Sequence, residues 1–138
     1  MKIFTLATFM VATLFIGGCD KSEDSGSFNG TYKGIFELTN SDPTVDFMPL
    51  KGDVSVTLSG KGYQSTANSN YAPAGGQGTY TAKRNEIVFT DTLFRTANFD
   101  WNLVLNGSYK VTRKADSVHL VKKIGYNSYT YKLAKQHN

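Results

Sequence analysis

The chain has 138 residues, enough for one domain and too few for two comfortable ones. Its 15 basic and 11 acidic side chains leave a formal +4, and 40% of residues are hydrophobic, which argues against both wholesale disorder and a polytopic membrane protein. One cysteine, Cys19, excludes an intrachain disulfide framework and a multi-cysteine zinc site. The two histidines, His119 and His137, speak against a histidine-rich metal centre, and neither a metal nor another cofactor is expected.

In chain order, Met1-Lys2 gives a short positive start, followed by a 14-residue apolar run from Ile3 to Ile16. That is short of the roughly 20 residues a membrane-spanning helix needs, but it suits a secretory h-region. The run ends in Ile16-Gly17-Gly18-Cys19, which resembles the bacterial lipobox. The resemblance implies cleavage before Cys19, attachment of lipid to its thiol, and a membrane partner held through that lipid. A plain signal peptide with a chance cysteine is the competing reading. Residues 1–18 are therefore expected to be a lipoprotein signal peptide, 19–27 a lipidated flexible tether, and 28–138 a single domain. Within the tether, Lys21-Ser22 followed by Glu23-Asp24 is similar to the export signal of Bacteroidetes surface lipoproteins. It implies display on the outer membrane surface, with a periplasm-facing position as the alternative.

From Phe28 onward no segment keeps a 3.6-residue hydrophobic period, whereas two-residue alternation recurs. Tyr32, Phe36 and Leu38 share one parity; Val54, Val56 and Leu58 follow, then Tyr63 with Ala67. Tyr80 and Ala82, Ile87 and Phe89, and Trp101, Leu103 and Leu105 continue the pattern. Tyr109 with Val111, Val118 with Leu120, and Tyr129, Tyr131 and Leu133 complete it. Asn106-Gly107 carries the strongest hairpin signal, and Gly60-Lys61-Gly62, Arg84-Asn85 and Lys114-Ala115-Asp116 mark further turns. Longer loops are expected at 40–51, 68–77 and 91–100. Short links and no crossover helices require antiparallel pairing. The expected fold is all-β: an up-and-down meander barrel of eight to nine strands, with a two-sheet sandwich as the alternative.

The Gly30-Thr31-Tyr32 opening is similar to the Gly-x-Trp that begins lipocalin barrels, with tyrosine in place of tryptophan. Gly75-Gly76-Gln77-Gly78-Thr79-Tyr80 and Phe99-Asp100-Trp101 resemble small Bacteroidetes lipoproteins with a lipocalin-like barrel. The resemblance implies architecture and carries little chemistry.

The segment Asp91 to Trp101 gathers two carboxylates, an arginine, two phenylalanines and the only tryptophan. As a pocket rim it would use Arg95 as an anion contact, Trp101 as a stacking platform, and Asp100 and the loop residue Tyr71 as further contacts. As a structural loop it would plug a barrel end, with Arg95 paired to Asp91 or Asp100 and the carboxylates capping turns. A paired-carboxylate hydrolase would need Asp91 and Asp100 in one cleft. Gly75–Gly78 precedes a strand instead of a helix, so it reads as a flexible loop and not a phosphate cradle. His119 has the parity opposite to Val118 and Leu120 and is expected outside. Asp91-Thr92-Leu93 and Asp116-Ser117-Val118 resemble the O-glycosylation sequon of Bacteroidetes secreted proteins, which would mark Thr92 and Ser117.

Six inward tyrosines would need hydroxyl partners from water, a polar ligand or the barrel mouth. The cations between Ser108 and Asn138 read as a solvated basic face, or as an attraction for anionic headgroups, acidic glycans or an acidic protein. The functional expectation is a non-catalytic binding module for a small ligand or partner near the barrel's loop end. The alternative is an inhibitor or interaction protein whose filled barrel docks an envelope protein or glycan. Neither catalysis nor a nucleic-acid partner is expected.

Overall fold

The computed structural model describes residues 28–137 except Ala97 and Phe99. The expected signal peptide (1–18), the expected lipidation site Cys19 and the expected tether thus lie outside the described residues. Eight strands follow one another: β1 (Gly30–Asn40), β2 (Leu50–Ser59), β3 (Gly62–Ala67), β4 (Ala74–Ala82), β5 (Glu86–Asp91), β6 (Gly107–Lys114), β7 (Ser117–Ile124) and β8 (Asn127–Lys135). Each pairs antiparallel with the next, and β1 pairs with β8 to close the barrel. The sandwich alternative does not occur. Among the described residues, both members of every strand pair and the buried cluster lie within 28–137.

Alternation sets the wall. Inward residues of β1, β2 and β8 are apolar or aromatic, while Lys33, Glu37, Asp53 and Lys132 face out. All six tyrosines of inward parity are buried. Phe89 lies at the middle of an aromatic layer, with ring centroids 4.8 Å from Tyr63, 6.1 Å from Tyr80 and 5.8 Å from Tyr109. Tyr109 then meets Tyr131 at 5.8 Å, and Tyr131 meets Phe36 at 4.9 Å. An eight-strand barrel is just wide enough for such side chains to fill. A void of about 10 Å³ lies between Phe28 and its apolar neighbours, room for one water at most in a site with little to bind it.

Two local expectations are corrected. Trp101–Leu103 forms a 3₁₀ turn, and Leu103, Val104 and Leu105 are buried without joining a strand. Their alternation reflects burial under the barrel mouth, and Asn106-Gly107 leads into β6 instead of closing a two-residue hairpin. Gly75–Gly78 lies within β4 and is not a flexible loop. Its glycines permit close approach: a Cβ on Gly76 would stand 3.0 Å from the Tyr63 hydroxyl and 3.1 Å from the Leu105 carbonyl. Ala67, expected inward with Tyr63, is exposed at the end of β3.

The two ends differ. The links 41–49, 68–73 and 92–106 and the Gly125-Tyr126 turn share one end, while the turns at 60–61, 83–85 and 115–116 share the other. The described chain begins at the short-turn end. There Phe28 is fully buried, its carbonyl accepts the Tyr32 hydroxyl at 2.9 Å, and the Arg113 guanidinium lies 4.4 Å from its ring centroid.

Candidate functional site at the loop end

The loop end is built from segments tied down at their bases. In the first, the Asn40 side chain accepts the Asp42 N–H at 2.7 Å and donates to Asn127 at 2.8 Å. Asp42 accepts the Thr44 hydroxyl and N–H, which holds its carboxyl below the ordinary range. The Ser41 N–H donates to the Tyr126 carbonyl at 3.0 Å, joining this segment to the β7–β8 turn. In the second, Asn68 donates to the Ala72 carbonyl at 2.6 Å and accepts the Ala72 N–H at 2.9 Å. This clasp presents Tyr71 at φ +55°, half exposed, a conformation that a non-glycine residue adopts only when its surroundings impose it.

The third segment holds the remaining sequence candidates. Arg95 turns inward: Nη1 donates to the Ala74 carbonyl at 2.8 Å and Nη2 lies 3.4 Å from Asp91. It fastens this segment to the start of β4, and Nε is buried without a hydrogen-bond partner among the described residues. Asp91 also accepts the Gln77 N–H at 2.8 Å. Asp100 caps the 3₁₀ turn by accepting the Asn102 N–H and side-chain amide, each at 2.9 Å, and its second oxygen accepts the Tyr129 hydroxyl at 3.2 Å. Trp101 stands beside it, 54% exposed. Asp91 and Asp100 thus have separate sets of partners. Thr92 is exposed and donates to the Gln77 carbonyl; Ser117 is half-buried at the start of β7. His119 is exposed on the outer wall, as its parity requires, and His137 lies 3.1 Å from Asp116.

Lys122 belongs to this end although it reads in sequence as one cation among many. Its side chain enters the barrel mouth, where Nζ donates to the Asn106 carbonyl at 3.1 Å and the Asn102 carbonyl at 3.4 Å. It lies 5.1 Å from the Tyr109 ring centroid and 5.2 Å from that of Tyr129. Burial pushes its pKa below the ordinary lysine value, while Asp100 pulls the other way. The signal was its shared parity with Val118 and Leu120.

Exposed large hydrophobics concentrate here. Val45 and Met48 belong to the first segment, Tyr71 to the second, and Leu93, Phe94 and Trp101 to the third. Leu50, Ile124 and Tyr126 stand at the same end; Ile35, on the barrel wall, is the exception among the described residues. Phe94 is 92% and Met48 83% exposed, too much for either to be a core residue slightly out of place. Comparison with protein-family models, with curated proteins and with solved structures finds no match for this chain.

Proposed function

We propose that this chain is a lipid-anchored, non-catalytic envelope lipoprotein of the lipocalin-like kind, whose loop end binds an envelope protein or a glycan. The observation that carries this reading is the gathering of exposed Trp101, Phe94, Tyr71, Met48 and their neighbours at the end opposite the chain's entry. Clustered apolar exposure on a soluble surface marks an interaction site. Tryptophan and tyrosine give large contact area with little rotamer entropy to lose. The packed aromatic interior favours recognition outside the barrel over carriage of a small ligand within it. Outward-facing Lys33, Asp53, Glu37 and Lys132 would be costly against lipid tails, which supports reading the barrel as held beside a membrane instead of across it. Cys19 would supply the anchor, with the outer membrane surface as its location.

The test pairs two measurements. Native mass spectrometry of the protein exposed to host extract should return the bare polypeptide mass. Retention on immobilised host envelope material should fall about tenfold or more for Trp101→Ala/Phe94→Ser, as loss of interface aromatics does. A reproducible low-mass adduct, or unchanged retention, would overturn the reading. Cys19→Ser should separately abolish partition into detergent.

A further inference from the structure

The barrel's charge is concentrated at the end where the described chain begins. Lys61, Lys83, Arg84, Arg113, Lys114 and Lys135 lie in or beside the short turns and the C-terminal strand end, against Glu86 and Asp116. Elsewhere among the described residues, Lys110 beside Glu86 set apart, six cations balance six carboxylates. Both acids at the basic end are engaged locally: Glu86 accepts the Ser108 hydroxyl, and Asp116 faces His137 at 3.1 Å.

Between the β4–β5 turn and β6 runs an open cleft of about 530 Å³. Arg84, Lys110 and Arg113 line it together with Asn85, Val111 and Thr112, three cations and no carboxylate among the described residues. The Val111 N–H donates to the Asn85 carbonyl at 2.9 Å, fixing the turn against the strand. The stacking of Arg113 on Phe28 fixes the cleft's inner wall to the point where the chain enters.

We propose that this basic end is a docking face for an anionic phospholipid surface, with the Arg84–Lys110–Arg113 cleft receiving headgroup phosphates. The inference rests on reading Cys19 as the lipid-bearing residue. Cys19 precedes Phe28 by nine residues, which reach about 30 Å when fully extended. A lipid there keeps the short-turn end close to the headgroups, where each lysine or arginine within a Debye length of about 8 Å adds attraction. The two ends then divide the work. The basic end lies on the membrane, and the apolar loop end points away from it.

The experiment uses residues 20–138, which contain the complete barrel and lack both Cys19 and the apolar leader. Co-sedimentation is measured with vesicles of phosphatidylcholine alone and of phosphatidylcholine with phosphatidylglycerol, over a range of salt. Binding to the anionic vesicles, weakened by salt, is expected. Arg84→Glu/Lys110→Glu/Lys114→Glu should lower it about tenfold or more. The same change in net charge made by Lys51→Glu/Lys123→Glu/Lys132→Glu should have a much smaller effect. The milder Arg84→Gln/Lys114→Gln, at exposed positions in the β4–β5 turn and at the end of β6, should fall between wild type and the triple reversal, with near-UV circular dichroism confirming the fold of each variant. No binding to anionic vesicles at low salt, equal binding to neutral ones, or equal loss in both triple variants would overturn the proposal. Because the fragment lacks Cys19, its outcome is independent of lipidation, which detergent partition of the full chain measures.

Discussion

Lys122 and Ala115 show how much depends on single positions in a wall built by alternation. Lys122 shares parity with the core of β7, so its stem enters the mouth and its ammonium reaches the carbonyls flanking the buried Leu103–Leu105 segment. A charge on the inward face is tolerated there because two carbonyls and two aromatic rings replace its water. Ala115 begins the two-residue β6–β7 turn at φ +49°, a left-handed conformation that costs an L-residue roughly 1–2 kcal/mol. Glycine removes that cost but loses more freedom on folding. Ala115→Gly should therefore raise stability by about 0.5–1 kcal/mol in urea denaturation. Ala134→Gly, in the extended backbone of β8, should lower it by a similar amount. A loss at both sites would show that turn strain is not limiting.

At the scale of elements, β4 joins the wall to the roof over the mouth. The Gly75 carbonyl accepts the Leu105 N–H at 2.9 Å, and the Tyr63 hydroxyl donates to the Leu105 carbonyl at 2.6 Å. Gly78 is constrained on its other side, since a Cβ there would stand 2.0 Å from the Thr90 carbonyl oxygen. Gly78→Ala must push β5 away and should cost about 2–3 kcal/mol. Gly62→Ala, whose Cβ would find nothing closer than 3.5 Å, should stay within about 0.5 kcal/mol. Equal losses would mean that the close approach of the Thr90 carbonyl is not what the Gly78 substitution costs. The same elements mark what the sequence could convey. Parity alone identifies the inward residues of β1, β2 and β8, because each has one wet face and one buried face. It cannot distinguish a strand from an extended plug, so Trp101, Leu103 and Leu105 imitate a ninth strand. Nor could it assign Arg95, whose Ala74 carbonyl partner lies 21 residues away and becomes its neighbour only after β4 and β5 pair.

For the whole molecule, the tyrosine-rich interior makes stability depend on pH in one direction. The phenol groups of Tyr32, Tyr63, Tyr109, Tyr129 and Tyr131 are all shifted upward, in each case chiefly because burial disfavours the phenolate. Tyr32, Tyr63 and Tyr129 donate to the Phe28 carbonyl, the Leu105 carbonyl and Asp100. The hydroxyls of Tyr109 and Tyr131 are buried without a hydrogen-bond partner among the described residues. Below the unfolded tyrosine pKa of about 10, folded and unfolded chains both keep these protons, so the tyrosines contribute no pH dependence. Above it the unfolded chain loses protons that the barrel retains, and stability must fall as pH rises. Lys122 works in the opposite sense: its lowered pKa makes stability rise with pH up to the unfolded lysine value of about 10.4. Urea midpoints should therefore be level or slightly rising up to about pH 10 and then decline. The deeply buried pair Tyr109 and Tyr131 can each contribute up to about 1.4 kcal/mol per pH unit. Tyr109→Phe/Tyr131→Phe removes two titrating groups without opening the layer around Phe89 and should flatten the alkaline limb. An unchanged limb would mean that water already reaches these hydroxyls in the folded barrel, and that its interior is wetter than its packing implies.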